Sequence, residues 1–341
     1  MHRRQALQAA LAALGGLSLF EAMAADATGV STPGTAVNPD LVRHVSAPTF
    51  LPPAGSCDCH VHVFDGARFP FAAKRSYTPG AARVEDLIAF EKRIGIDRIV
   101  LVQPSVYGVD NAALLDALGQ LGDRARGVAV VDLEKTSPAD LRDMHAKGVR
   151  GIRLNLEVSG QRNHEFALTQ LKRAEQLVGP LGWAVQIYAD VDVIAELAMD
   201  IAGLKVPVVL DHFGGIKAHK KDEQKAAFAT VVDLVKRGNA YVKLSAPYRA
   251  SRSAPGFEDV AEFAQALIQA RSDRLVWASD WPHTGSSGNR NGNLDQIEPF
   301  RKEDAGRALN QLAIWANTPA LLQRILVDNP ARLYAFDRAA T

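Results

Sequence analysis

The chain has 341 residues, and its 39 lysines and arginines almost balance its 38 aspartates and glutamates, which gives a formal net charge of +1. Hydrophobic residues make up 47% and charged residues 23%, close to the globular average, so a disordered chain and a coiled coil are excluded. Without an excess of positive charge, the composition also argues against nucleic acid as a partner. The two cysteines, Cys57 and Cys59, are too close in sequence for an unstrained bridge, which excludes a disulfide framework.

Residues 1–24 have the layout of an export signal. A charged start (Arg3-Arg4) precedes an apolar run from Ala9 to Phe20, and Ala22-Met23-Ala24 is a small-x-small cleavage site. The arginine pair resembles the twin-arginine signal, although Ala6 stands where that signal usually has a large apolar residue. We therefore expect a twin-arginine-like signal peptide, a periplasmic protein and no membrane segment after cleavage. The alternative is a cytosolic chain with a helical extension.

The rest of the chain divides into a short linker and one long alternating region. Residues 25–54 are rich in alanine, threonine, proline and glycine, which predicts a linker or irregular N-terminal wrap. Over residues 55–337, apolar β-rich runs alternate with amphipathic runs. The predicted strands are 57–63, 98–103, 126–131, 149–155, 183–188, 206–211, 240–245 and 274–279. The predicted helices lie near 84–94, 110–121, 138–147, 164–178, 190–203, 222–237, 257–271 and 304–335.

This alternation predicts an α/β fold. The strands are apolar on both faces, as a parallel sheet covered by helices requires. Eight strand–helix units predict a single-domain (β/α)8 TIM barrel, a fold of typically ~250 residues. A doubly wound open sheet is the alternative. Its dinucleotide-binding form is disfavoured, because no glycine-rich loop follows the first strand.

Histidines and an aspartate fall at the predicted strand ends, which face the catalytic mouth of such a barrel. His60 and His62 are two apart on the first strand and so share a face. His212 follows the sixth strand, and Asp280 and His283 follow the eighth. Four of the nine histidines therefore gather at the mouth.

Two chemistries suit this cluster. A His-x-His pair alone is a weak signal, but three imidazoles and a carboxylate (His60, His62, His212 and Asp280) suit a divalent metal, zinc above all. Such a metal would lower the pKa of a bound water and polarise a carbonyl. Without metal, the imidazoles can donate hydrogen bonds to an oxyanion, and Asp280 can accept a proton from water. Both possibilities stay open: no required cofactor, or one divalent metal.

Several segments also resemble a known family, the amidohydrolase superfamily. Within it, they are similar to the branch that contains 2-pyrone-4,6-dicarboxylate lactonase and related sugar-acid lactonases. The resemblance extends from about Gly55 to Phe336. The segments that carry it are Asp58–Phe64, Phe69–Phe71, Tyr77–Pro79, Gln103–Asn111, Val149–Asn155 and Ser279–His283.

The resemblance implies hydrolysis of a lactone, a cyclic ester, with a barrel fold and catalytic groups at its mouth. Asp280 would activate the attacking water and later protonate the leaving oxygen. His60, His62 and His212 would polarise the carbonyl directly or through a metal; the pyrone lactonase works without metal, and some relatives carry zinc. Residues that match substrate-holding positions of the family are Ser105, Arg153, Tyr188 and Arg249.

Some of these residues have alternative interpretations. Arg150 and Arg153 point to opposite strand faces, and we place Arg153 in the site. His283 is assigned to the substrate-binding set, with orientation of Asp280 as the alternative. Cys57 and Cys59 alternate with the histidines, which predicts small buried residues facing away from them.

Two departures from the family pattern bear on the substrate. The pattern's second arginine is replaced by Ser159, for which Arg162 is a possible substitute, and an arginine three residues after His212 is replaced by Gly215. We therefore expect a small anionic lactone with one carboxylate, or a polyhydroxylated sugar lactone, instead of the pyrone dicarboxylate. A zinc-dependent decarboxylase or deacylase and a non-catalytic periplasmic binding protein are the alternatives. The segment 284–294 is either a lid or a surface loop.

Overall fold

The computed structural model describes residues 37–156, 164–285 and 293–336. The predicted signal peptide, the first part of the predicted linker, Ser159 and Arg162 lie outside these ranges, as does most of the predicted loop 284–294. Among the described helices, none combines the length and apolar character that a membrane span needs.

Eight parallel strands form one sheet in which each strand pairs with the next along the chain. The sheet closes on itself, because the His62 amide donates to the Trp281 carbonyl at 2.9 Å and the Asp280 amide donates to the His60 carbonyl at 3.0 Å. This closure confirms the predicted (β/α)8 barrel and excludes the open sheet. The strands are β1 (Cys57–Val61), β2 (Arg98–Val102), β3 (Ala125–Ala129), β4 (Val149–Asn155), β5 (Ala184–Tyr188), β6 (Val208–Leu210), β7 (Ala240–Ser245) and β8 (Leu275–Ala278).

Helices surround this sheet, and two of the predicted helices, 190–203 and 304–335, are each divided in the structure. The pattern over 304–335 predicts a single helix, but the helix ends before Asn317, whose backbone has a left-handed conformation with φ of 51°. Thr318 then caps a new helix that starts with Pro319, whose ring cannot continue the preceding one. The helices are α1 (Val84–Ile94), α2 (Ala112–Leu121), α3 (Pro138–Ala146), α4 (His164–Val178), α5 (Val191–Glu196), α6 (Ala198–Gly203), α7 (Lys225–Arg237), α8 (Pro247–Ala250), α9 (Ala261–Arg271), α10 (Ala305–Ala316), α11 (Pro319–Gln323) and α12 (Asn329–Tyr334).

The barrel interior is a separate apolar cluster that lies beneath the site. Side chains from seven of the eight strands meet there, and the C-terminal Tyr334 and Phe336 pack against them. Cys57 and Cys59 belong to this cluster and are fully buried. The prediction that they face away from the histidines is therefore wrong. The register of β1 against β2 shifts between Asp58 and Val61, so strict alternation does not hold across this stretch of β1.

The N-terminal segment packs along the outside of the barrel. Leu41 and Val45 are buried. Ser46 donates its amide and hydroxyl to Asp304 Oδ1 at 2.9 and 3.0 Å. Thr49 makes the same pair of bonds to Asn310 Oδ1 at 2.8 and 2.9 Å. Both acceptors belong to the start or body of α10, so this segment is tied to the barrel's last helical region.

Candidate active site

A cavity of about 360 Å³ opens at the carboxyl ends of the strands. Its volume suits a small molecule. Seven of the nine residues predicted for the site line it: His62, Ser105, Arg153, Tyr188, His212, Arg249 and Asp280. His60 lies just beneath them and is fully buried.

Three imidazoles converge on one oxygen of Asp280. The distance from Asp280 Oδ1 to Nε2 is 3.6 Å for His60, 3.6 Å for His62 and 3.9 Å for His212. Among the described residues, Oδ1 is buried and has no hydrogen-bond partner. It is therefore the oxygen available to a substrate, a water or an ion.

The other oxygen of Asp280 is firmly held. Tyr248 Oη donates to Oδ2 at 2.6 Å, and Arg249 Nε donates to it at 2.7 Å. Although burial alone would raise it, the pKa of Asp280 lies well below its ordinary value because the Arg249 guanidinium and the nearby imidazoles favour the charged form. Asp280 is thus a carboxylate with one occupied and one open oxygen.

His62 and His212, the two histidines that line the cavity, are each oriented by a hydrogen bond at Nδ1. His62 Nδ1 lies 2.7 Å from the Val102 carbonyl and so donates to it. His212 Nδ1 lies 2.9 Å from Ser245 Oγ. Burial lowers the pKa of His212 to about 3, despite the opposing influence of the Asp280 and Asp211 carboxylates, so its ring is neutral at neutral pH.

A buried ionic network lies below the histidines, and three of its members, Asp211, Gln186 and Lys243, were not among the predicted site residues. Asp211 Oδ2 accepts from Arg153 Nε at 3.2 Å, from Arg153 Nη2 at 3.1 Å and from Gln186 Nε2 at 3.0 Å. Lys243 Nζ donates to Gln186 Oε1 at 2.8 Å and lies 3.2 Å from His60 Nδ1. The available signal was a lysine inside the otherwise apolar strand β7, on the barrel side together with Tyr241 and Ser245.

Charge balance keeps this network ionised. Burial by itself would raise the pKa of Asp211, but the positive charges of Lys243 and Arg153, together with the neighbouring His60 ring, hold it well below its ordinary value. Burial, reinforced by the Lys243 ammonium, lowers the pKa of His60 well below its ordinary value. His60 is therefore neutral, whereas Asp211 is ionised between two cations.

The side chains of the two arginines of β4 point in different directions, as their spacing predicts. Arg153 enters the cavity and lies over the Tyr188 ring, with its guanidinium carbon 5.1 Å from the ring centre. Arg150 instead donates to the carbonyls of His145 and Val149. His283 is buried outside the cavity walls, edge-on to Tyr248 with a centroid distance of 6.0 Å.

The geometry also accounts for Gly215, where the family pattern has an arginine. Gly215 has a φ of 78°, in the left-handed region that favours glycine. A Cβ at this position would lie 2.2 Å from the Ala189 carbonyl oxygen, so an arginine cannot be accommodated by this backbone. The cavity therefore lacks a cation at this position for a structural reason.

The described part of the chain contains two groups of potential metal ligands whose ligand atoms lie within 4.8 Å of one another: His60, His62 and Asp280, and His60, Asp211 and His212. The first fits a divalent ion in its donor types, because Asp280 Oδ1 has no partner among the described residues and His62 is oriented through Nδ1. The second fits poorly, since the Lys243 ammonium lies 3.3 Å from Asp211 Oδ1 and would repel a cation.

Several site residues are held in strained backbone conformations. His212, Asp280 and His283 have φ of 47°, 65° and 67°, which non-glycine residues seldom adopt. Such conformations cost of order 1–3 kcal/mol each and persist where surrounding contacts impose them. The bonds to Asp280 from β1 and from the segment after β7 provide such contacts.

Comparison with known proteins agrees with this architecture. The amidohydrolase family model matches residues 57–336. A 4-sulfomuconolactone hydrolase from Rhizobium radiobacter is 36% identical over 86% of this chain and 94% of its own length. A 2-pyrone-4,6-dicarboxylate hydrolase from Comamonas testosteroni is 34% identical over 86% of this chain and 95% of its own.

A solved structure shows the same similarity in three dimensions. A candidate 2-pyrone-4,6-dicarboxylic acid hydrolase from Pseudomonas putida is 30% identical, covers 84% of this chain and 99% of its own, and superposes with a TM-score of 0.68. The family match spans most of the chain and includes every described catalytic candidate at the barrel mouth. The chain belongs to the amidohydrolase family and is a hydrolase of that superfamily.

Proposed function

We propose that this hydrolase opens a small anionic lactone. The observation that carries the proposal is the open Oδ1 of Asp280, which lies at the floor of the cavity with three imidazole Nε2 atoms around it. This arrangement places a base and several polarising groups within reach of one carbonyl. The names of the two curated relatives, both lactone hydrolases, support the same reaction class.

Asp280 acts first as a base and then as an acid in this mechanism. Its Oδ1 accepts a proton from a water molecule whose oxygen attacks the lactone carbonyl carbon. The ring C–O bond of the resulting tetrahedral intermediate then breaks, and the proton on Asp280 passes to the leaving oxygen. The products are a carboxylic acid and a hydroxyl or enol, and the carboxylate is restored.

The histidines stabilise the charge that develops on the carbonyl oxygen. His212 and His60 are neutral, so a ring N–H can donate to an oxyanion without introducing a competing charge. Their orientation is set from behind by Ser245 and Lys243, which reduces the reorganisation needed during reaction. Removing one such donor typically costs ~10²–10³-fold in turnover in other enzymes.

A divalent metal is the second way in which this site can work. When bound, it would be held by His60, His62 and Asp280, and it would act as a Lewis acid and lower the pKa of a bound water. The same ligand group favours a zinc-dependent decarboxylase or deacylase as the second candidate function. Elemental analysis and the lactone screen together separate the two functions: stoichiometric zinc, no hydrolysis of any lactone, and activity on another substrate that a chelator removes would support the second.

The walls of the cavity select for a small anion. Arg153 and Arg249 present positive charge there, yet each is also bonded to a carboxylate, Asp211 and Asp280 respectively. Tyr188 and Ser105 add polar groups to the same cavity. A planar guanidinium matches a carboxylate or sulfonate, so we propose a lactone that carries one such group.

A lactone screen tests the proposal. Purified protein is incubated with muconolactones, sulfonated muconolactones, the pyrone dicarboxylate and sugar lactones, while acid release is followed in a pH-stat. We expect acid release from a monoanionic lactone and loss of that release in Asp280→Asn. Arg153→Met should raise KM more than it lowers kcat. A folded protein that hydrolyses none of these lactones contradicts the proposal.

A further inference from the structure

Lys243 is a fully buried lysine in the middle of the barrel, where charged residues are rarely found. Its ammonium is held by Gln186 Oε1 at 2.8 Å and lies 3.3 Å from Asp211 Oδ1. The first contact is a hydrogen bond, and the second is an ion pair without hydrogen-bond geometry. Nζ also lies 3.2 Å from His60 Nδ1, within hydrogen-bond distance.

The donors and acceptors around His60 determine which of its ring nitrogens carries the proton. An ammonium has three donors and no acceptor, so a hydrogen bond between Lys243 Nζ and His60 Nδ1 requires the ring nitrogen to accept. A neutral imidazole that accepts at Nδ1 carries its proton on Nε2. Lys243 remains the donor because the buried Asp211 carboxylate pairs with its charge.

Asp211 is the competing partner for the same nitrogen, but its geometry is unfavourable. Its Oδ1 lies 3.3 Å from His60 Nδ1, yet no hydrogen bond reaches that oxygen from any described residue. Its Oδ2 is already occupied by Arg153 and Gln186. His60 Nδ1 therefore has its hydrogen-bonded partner in Lys243 and not in Asp211.

We propose that Lys243 is a positioning residue that fixes His60 in the Nε2-protonated tautomer, so that His60 directs an N–H toward the reacting carbonyl oxygen. His62 has the opposite arrangement, because its Nδ1 donates to the Val102 carbonyl. The two neighbouring rings, whose centroids are 4.9 Å apart, thus have different tasks. Nε2 of each ring lies 3.6 Å from Asp280 Oδ1, but it carries the proton in His60 and is bare in neutral His62.

The direct test is to measure which ring nitrogen of His60 carries the proton. Histidine side chains are labelled with ¹⁵N, His60 is assigned by comparison with His60→Gln, and the ring nitrogen shifts are recorded by NMR. We expect a protonated Nε2 and a bare Nδ1 for His60. Protonation at Nδ1 in the purified protein, with or without a metal on Nε2, overturns the proposal. This measurement requires no substrate, so it remains decisive if no lactone is hydrolysed.

The kinetic consequence rests on the proposed lactone hydrolysis. Lys243→Met removes the donor while keeping an unbranched chain, and we expect kcat to fall by ~10–10²-fold with KM changed by less than about threefold. The control is Val276→Ala, which alters the packing of the same barrel interior without a network contact. If Lys243→Met does not fold, Lys243→Leu, which also removes the donor, serves instead. A kcat equal to that of the control, in either variant, contradicts the proposal.

Discussion

At the scale of single residues, Asp280 illustrates how one carboxylate is given two different environments. Oδ2 is held by Tyr248 and Arg249, whereas Oδ1 faces the three imidazoles without a partner among the described residues. The bonds to Oδ2 fix the direction of Oδ1. A base in a defined position contributes to catalysis through both its charge and its orientation.

Asp280→Asn should lower kcat by ~10²-fold or more, because an amide cannot accept the proton of the attacking water. Turnover of the lactone identified by the screen measures this effect, and circular dichroism checks that the fold is retained. Asp273→Asn is the matched control, since Asp273 pairs with Arg271 and Arg274 far from the cavity walls. Equal kcat values for the two variants would contradict the assignment.

Tyr248→Phe should lower kcat by ~10-fold, because a hydrogen bond to a charged acceptor contributes ~1.5–3 kcal/mol and Arg249 still holds Oδ2. The effect should appear in kcat more than in KM, since Tyr248 acts through Asp280. Tyr241→Phe, a change inside the barrel away from Asp280, provides the comparison. A Tyr248→Phe enzyme with unchanged kcat would show that the bond to Oδ2 is dispensable.

At the scale of elements, the layer between β1 and α1 contains buried acids that the mechanism does not use. Asp58 Oδ1 accepts from the amides of His60 and Ser279 at 3.1 and 3.0 Å, which ties β1 to the end of β8. Burial raises the pKa of Asp58 to about 7, although those hydrogen bonds oppose the shift. Burial also raises the pKa of Glu91, and the Asp58 charge adds to this effect.

Glu91→Met should stabilise the protein, and the gain should be larger at pH 8 than at pH 5. The folded state keeps a proton on Glu91 above the ordinary pKa of 4.5, whereas the unfolded state releases it. Wild-type stability therefore falls as pH rises above that value. The midpoint of urea unfolding at both pH values measures the change, with Glu85→Met on the same helix as control. A gain independent of pH would contradict this assignment.

The strands could be predicted from the sequence more accurately than the C-terminal helices. All eight strands were predicted to within about three residues at either end, because buried parallel strands are short apolar runs with polar boundaries. The division of the helix predicted over 304–335 was not predicted, since its apolar periodicity continues across the break at Asn317. Similarly, strict alternation along β1 placed the cysteines on the wrong face, because the register shift depends on pairing with β2.

At the scale of the whole molecule, a near-neutral chain concentrates its cations in particular places. Arg153, Arg249 and Lys243 are each paired with a carboxylate at or beneath the mouth of the barrel. The net charge of +1 therefore conceals a locally cationic cavity. This distribution suits a small anion that enters the barrel better than a large polyanion bound across the surface.

We also propose that the chain is exported by the twin-arginine route and loses residues 1–24. Conversion of both Arg3 and Arg4 to lysine should leave the precursor in the cytoplasm, because the route reads the arginine pair. Cell fractionation and intact mass measure location and cleavage, and we expect a mature chain that begins at Ala25. Arg142→Lys on the exposed face of α3 is the control. An unaltered chain that keeps residues 1–24 in the cytoplasm would refute this proposal.

The sequence by itself determined the barrel, the family and the residues at the strand ends, because these follow from local periodicity and short motifs. Only the tertiary structure decided how those residues are held. The contact between His60 and Lys243 joins positions 183 residues apart, and the bond from Tyr248 to Asp280 spans 32. Such contacts depend on closure of the barrel, which brings the first, seventh and eighth strands together, and no local pattern encodes that distance.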